Sequence, residues 1–320
     1  MAVDPEIVEM LAASRAVRPL PIDQIPLEDV RAGYRLKYHE RSFEVPDGIS
    51  HEDIRVGSPA REIPLRIYRP AGMPTPSPAI VYFHGGGFVL GDAAAYHRQS
   101  ARIASLCRAV IIFVDYSLAP EHPFPAAFDD AVMAVRHVLA HCEELGLARD
   151  RLMLMGDSAG ANLSLGAATA LAGEASLRHL CLLYPAVDFR PYVGASPRDA
   201  SDIEFEKGFG LDFDTVRFFA ENYLGDPANA ADPRASPFLA KTTEGLPPTT
   251  VYAARNDVLF DQGRRFFERL RRDGVVVDYV LFDTLIHNFM GHAAVSRQSD
   301  MAFQAVCERT AQLLHEDGAR

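Results

Sequence analysis

The residues best able to do chemistry begin with Gly156-Asp157-Ser158-Ala159-Gly160. This pentapeptide sits between an apolar run, 152–155, and a helix-forming stretch, 161–171. Strand, tight Gly-x-Ser-x-Gly turn and helix form the layout of a nucleophile elbow. Ser158 would stand on a sharp turn with its hydroxyl exposed above a helix N-terminus. Gly156 and Gly160 fit because a Cβ at either place would collide with the neighbouring strand or helix. The pattern alone is weak, since any serine has roughly a 0.5% chance of being flanked this way. A serine hydroxyl also needs a base to take its proton, most often a histidine held by a carboxylate.

Partners for Ser158 stand further along the chain. Asp257 and Asp261 both follow an apolar run, 249–253. Asp257 lies nearer the end of that run and is the expected orienting acid. Asp261 falls at the start of the next helical pattern, where carboxylates are common as caps, and is read as a cap or loop brace. His287 follows the last apolar run, 275–282, by a short loop, Asp283-Thr284-Leu285-Ile286, and is the expected base. His292, five residues on, reads instead as an exposed helix-start residue. His84-Gly85-Gly86-Gly87-Phe88 directly follows the run 79–83. Three consecutive glycines leave backbone N–H groups unshielded. Two of them, with the N–H of Ala159, could point at one developing oxyanion, each donor supplying about 3 kcal/mol of barrier reduction. The plainer alternative is a flexible turn. A phosphate loop is not supported, because neither GxxxxGK[ST] nor GxGxxG occurs here.

The elements that would hold these groups alternate. Apolar runs at 79–83, 110–114, 152–155, 180–184, 249–253 and 275–282 read as strands. Helical patterns at 96–108, 126–145, 158–171 and 262–272 lie between them. This rhythm predicts an α/β protein with a mainly parallel sheet covered on both faces. The segment 63–68 alternates apolar positions and reads as an earlier antiparallel strand; 296–314 reads as a final covering helix. Two stretches break the rhythm: residues 1 to about 50, and 186 to about 225. An insertion after a strand's C-terminal end is well placed to cover a site there.

Composition sets the outer bounds. The chain has 320 residues, 48% hydrophobic and 23% charged, with a net charge of −11. That length allows either one large α/β domain or two smaller ones. Without a Lys/Arg-rich run, nucleic acid or an anionic membrane is not an expected partner. Four cysteines occur singly, at Cys107, Cys142, Cys181 and Cys307, with no metal-ligand spacing. They read as reduced packing residues. No signal peptide or membrane-length stretch is apparent, so a cytoplasmic location is expected.

Taken together, these motifs resemble the bacterial hormone-sensitive-lipase-like carboxylesterases of the α/β-hydrolase fold. The carriers are His84-Gly85-Gly86-Gly87-Phe88, the run Asp115-Tyr116-Ser117-Leu118-Ala119-Pro120-Glu121-His122-Pro123-Phe124-Pro125-Ala126-Ala127, and the serine pentapeptide. Tyr184-Pro185 and Asp257-Val258-Leu259-Phe260-Asp261 also match, and the likeness spans most of residues 60–315. The resemblance implies a mostly parallel eight-stranded sheet flanked by helices, in one domain over 1–320. It implies a helical cap made of about 1–50 plus about 186–225. It implies Ser158 as nucleophile, His287 as base, Asp257 as acid, and an oxyanion hole from Gly85, Gly86 and Ala159. No metal or organic cofactor is expected. Many similar enzymes are homodimers, pairing near the last strand, so a homodimer is an expectation here.

The chain departs from the family pattern in Val258 after the acid, Asn288 after the histidine and Ser117 after Tyr116. None of these removes a reacting group, and Asn288 changes the wall beside the histidine. The expected function is hydrolysis of short-chain acyl esters. An amidase, lactonase or metabolite deacetylase would use the same triad. A non-catalytic ligand receptor on this fold is disfavoured by the presence of all three triad residues. Phe88, Tyr192, Phe205, Phe209 and Phe213 are candidate acyl-pocket residues, with ordinary packing inside the cap as the alternative.

Overall fold

The apolar runs pair into one sheet. A computed structural model describes residues 2–17, 20–58, 61–174 and 177–316. The chain begins with helices α1 (Pro5–Val17) and α2 (Leu27–Glu40), followed by strands β1 (Ile49–Ser58), β2 (Arg61–Pro70) and β3 (Ser77–Phe83). Helix α3 (His97–Cys107), β4 (Val110–Val114), α4 (Ala126–Ala140), β5 (Leu147–Asp157), α5 (Ala159–Ala170) and β6 (His179–Leu183) alternate as expected. Two helices, α6 (Ala200–Glu204) and α7 (Phe213–Leu224), intervene before β7 (Thr249–Asn256). The chain closes with α8 (Phe260–Arg272), β8 (Val277–Ile286) and α9 (Arg297–His315).

Among the described residues the sheet has eight strands in the order β1-β2-β4-β3-β5-β6-β7-β8. Strand β2 runs antiparallel to both β1 and β4. From β4 onward every neighbouring pair is parallel. This parallel block is buried on both faces, which is why its strands read as continuous apolar runs. In β3 every residue is buried. Its alternate side chains serve opposite faces. Val81 and Phe83 join a core with α4, α5 and α8. Ile80 and Tyr82 join a second core with α3 and α9. All four cysteines are buried and free.

Two features lie beyond the sequence reading. The stretch 1 to about 50 is helical, as the resemblance implies, and β1 after it adds an edge strand that no apolar run marks. In β1 only Val56 is buried among the residues whose exposure is described, so no alternation marks it in the sequence. The excursion between β6 and β7 is also longer than 186–225, returning through short 3-10 turns at Pro227–Ala231 and Pro237–Leu239. Its return leg is pinned by Asn162 of α5, whose Nδ2 donates to the carbonyls of Ala186 and Ala235, both at 2.9 Å. No described helix is long and apolar enough to cross a membrane.

Candidate active site

The parallel strands deliver their C-terminal ends to one edge of the sheet, and the chemistry gathers there. Ser158 is the single residue between β5 and α5. Its φ of 55° and ψ of −114° lie outside the ordinary regions for a residue with a side chain. Such strain survives only where the surroundings hold it. Here the Ser158 N–H donates to Leu183 O of β6 at 2.8 Å. A Cβ on Gly156 would run into the Gly160 carbonyl, and one on Gly160 would run into the Phe83 carbonyl. The turn is therefore packed backbone against backbone, and only glycine fits at its two ends.

His287 immediately follows β8. The expected loop 283–286 is the last part of the strand itself, reached across an irregularity in its pairing with β7. Asn256 fixes that irregularity by donating from Nδ2 to the carbonyls of Asp283 and Leu285, both at 3.2 Å. Asp257, buried, lies just past β7. Its Oδ2 is 2.7 Å from His287 Nδ1, and its Oδ1 accepts from Leu259 N at 2.9 Å. A carboxylate can only accept, so Nδ1 carries the proton. That leaves His287 Nε2 to accept from Ser158 Oγ, 3.0 Å away. Tyr184 packs edge-on to the imidazole with ring centroids 4.8 Å apart.

The glycine loop differs from expectation in one residue. The Gly85 N–H donates to Asp157 Oδ1 at 3.0 Å, so it is not free to meet an oxyanion. The N–H groups of Gly86, Gly87 and Ala159 make no hydrogen bond within the described protein. Gly86 and Gly87 both have positive φ, at 111° and 64°. A Cβ on Gly87 would enter the ring of Phe219, which α7 lays over the loop. Nothing in the glycine spacing alone tells which two of the three N–H groups stay free.

Asp157, between Gly156 and Ser158, is the largest feature the motif reading leaves unused. It is 1% exposed. Besides Gly85 N, its Oδ1 accepts from Tyr82 OH at 2.6 Å, and its Oδ2 from Tyr96 OH at 3.2 Å. Burial pushes its carboxyl up to about 6, against the pull of those three donors. His84 is stacked between Phe113 and Tyr116, and burial holds it down at about 4. A charged side chain interrupting the apolar end of β5 was the visible signal for this buried network.

The remaining expected residues lie as follows. Phe88 is buried and stacked on Tyr223, with centroids 3.7 Å apart. Tyr192 is buried and donates to Asp202 Oδ1 at 2.8 Å. Phe205 meets Phe209 edge-on, and Phe213 packs on Tyr192 and carries the Arg198 guanidinium over its ring. All five make packing contacts, and Phe209 is the most open of them. Asp261 braces α6 by accepting from Ser201 N at 2.9 Å. His292 is not an exposed helix start: it is buried in the turn Phe289–His292. Among the described residues no group of three or more His, Cys, Asp or Glu could hold a metal ion.

Serine, aspartate and histidine in this order on this sheet decide the ancestry question together with one finding: residues 80–291 match the family described as alpha/beta hydrolase fold. The chain belongs to the alpha/beta hydrolase family. Within that family it falls in the hormone-sensitive-lipase-like group. It is 30% identical to ethyl acetate hydrolase from Pseudomonas putida, over 98% of this chain and 100% of that one. It is 33% identical to carboxylic ester hydrolase LipN from Mycobacterium tuberculosis, over 90% of this chain and 77% of that one. Among solved alpha/beta hydrolases, a thermostable esterase from Pseudomonas putida superposes with a TM-score of 0.90 at 29% identity, covering 99% of each chain.

Proposed function

We propose that this protein is a serine carboxylesterase that hydrolyses short-chain acyl esters through an acyl-enzyme. The observation that carries the reading is the unbroken line Asp257–His287–Ser158, with contacts of 2.7 and 3.0 Å, at a strained elbow. The relatives named as ester hydrolases support it.

In the first half-reaction Ser158 Oγ bonds to the ester carbonyl carbon while its proton passes to His287 Nε2. Asp257 steadies the imidazolium through Nδ1. Negative charge develops on the carbonyl oxygen, and the unpaired N–H groups of Gly86, Gly87 and Ala159 are the donors for it. The bond to the alkoxy oxygen then breaks, and His287 returns its proton to release the alcohol. Water attacks the acyl carbon, gives a proton to His287 and frees the acid, and Ser158 regains its hydrogen. No step draws on a cofactor.

Residues 1 to about 50 and about 186–225 form the cap in this reading. Three contacts support that role. Arg15 Nη2 donates to Gly208 O at 2.6 Å. A Cβ on Gly210 would lie 3.0 Å from Ile286 Cδ1 and 3.6 Å from Leu11 Cδ2. Asp4 N donates to Thr284 O at 3.0 Å. Both segments thus meet each other beside the strand end that carries His287.

The test is turnover of p-nitrophenyl acetate, butyrate and octanoate beside matched anilides. Wild type is expected to favour the acetyl and butyryl esters. Ser158→Ala is expected to lose about 10⁴-fold or more in kcat while melting within a few degrees of wild type. A folded Ser158→Ala protein with wild-type turnover would overturn the assignment, and anilide rates at or above ester rates would overturn the ester preference.

A further inference from the structure

Asn288 follows the histidine and departs from the glycine common in similar sequences. Its φ is 62°, in the left-handed region that glycine enters freely. A side chain there needs a reason, and the structure supplies one. Tyr38 OH, from α2, donates to Asn288 Oδ1 at 3.0 Å. The Tyr38 oxygen also lies 2.6 Å from the Tyr96 hydroxyl. Tyr96 in turn reaches Asp157 Oδ2 at 3.2 Å, and Asp157 Oδ1 holds the Gly85 N–H at 3.0 Å. Each tyrosine has one proton to give. Tyr38 gives its own to Asn288, so its oxygen accepts from Tyr96, whose proton is shared between Tyr38 and Asp157.

The line therefore runs from the residue after the base to the residue before the nucleophile, and on to the glycine loop. Tyr96 is fully buried and Tyr38 is 3% exposed, which keeps water from substituting for either hydroxyl. The rings are packed as well: Tyr38 and Tyr96 have centroids 4.4 Å apart. Helix α2 is fastened to the glycine loop independently, because Arg31 Nε donates to Val89 O at 3.0 Å. Its C-terminal end is fastened to the histidine side, where Ala294 N donates to Arg41 O at 3.2 Å.

We propose that Tyr38 and Asn288 are positioning residues: through Tyr96 and Asp157 they hold the His287 turn in register with the oxyanion loop. This rests on the serine-esterase reading above. Neither side chain is required to touch substrate. Their effect falls on the alignment of Nε2 with Ser158 and with the oxyanion donors, where small displacements are costly to rate.

The experiment compares wild type with Tyr38→Phe, Asn288→Gly and the double variant on p-nitrophenyl acetate. Tyr38→Phe keeps the ring and deletes one hydroxyl. Asn288→Gly suits the φ of 62° and deletes the acceptor. Each single variant is expected to lose about tenfold in kcat with KM within about twofold of wild type and with little change in melting temperature. The double variant is expected to be no slower than the slower single, because both cut the same line. Singles within about twofold of wild-type kcat, or losses that multiply in the double variant, would overturn the positioning role. If one variant melts well below wild type, the other carries the test. A wild-type protein without ester turnover would instead overturn the esterase reading, and this inference with it.

Discussion

Ser158 is held by its neighbours rather than by its own preference. A residue at φ 55° is kept there by the contact of Gly160 with the Phe83 carbonyl and by the hydrogen bond from Ser158 N to Leu183. Gly160→Ala places a Cβ on backbone that cannot move away, a cost of about 1–3 kcal/mol from overpacking. We expect it to lower the melting temperature by about 1–5 °C and to abolish most ester turnover. Gly33 is the contrast. It sits inside α2 with nothing within 4 Å of a Cβ. Gly33→Ala is expected to raise the melting temperature by about 1–2 °C with kcat unchanged, since alanine favours a helix interior by roughly 0.5–1 kcal/mol. Thermal melts of the two variants side by side check both signs. Equal shifts would mean that the elbow is looser than its contacts indicate.

Elements decide which chemistry a residue can do. Helix α7 lays Phe219 over Gly87, so the glycine loop has an aromatic ceiling supplied by the excursion between β6 and β7. Gly87→Ala is expected to cut kcat/KM at least about tenfold, through the clash with that ring and the positive φ. Adding Phe219→Ala should restore part of the loss; no recovery would place the damage in the backbone alone. The sheet that positions these parts was largely legible. Fully buried parallel strands such as β4, Val110–Val114, announce themselves as apolar runs. Strand β1 did not, because it is a polar edge strand. Ser158, Asp257 and His287 were picked out by type and by place after strand ends, and they do lie within hydrogen-bond distance. The Gly85 N–H is claimed by a buried carboxylate, Asp157, a contact set by tertiary packing and not by spacing. Phe219 and Tyr38 were invisible for the same reason. Their partners lie far away in sequence, 58 residues from Tyr38 to Tyr96 and 250 from Tyr38 to Asn288.

At the scale of the molecule, buried ionisable groups set the response to acid. Burial holds His84 and His179 at about 4 and His292 at about 3, below the ordinary 6.5. The unfolded chain takes these protons near 6.5 and the folded chain refuses them, so stability falls as pH drops from 6.5 toward those values. Asp115 and Asp157 act oppositely. Burial raises both to about 6, so the folded chain binds their protons first and gains stability between 6 and 3.8. The two effects overlap below pH 6.5, and removing one histidine isolates its share. His292→Gln removes one of them and should shrink the drop in melting temperature between about pH 7 and pH 5. An undiminished drop would show that His292 is not titrating on unfolding. The same fold also imposes an order in time. Asp4 is held by Ser296, 292 residues later, and Tyr38 by Asn288, 250 residues later. During synthesis at about 5–20 residues per second, the first two helices wait roughly 10–60 s for the partners that seat them. A nascent chain can lay down β3 and β5 and shape the elbow well before that. The histidine and the clasp on α2 arrive together at the end, so a chain released early would carry Ser158 without the imidazole proposed to take its proton.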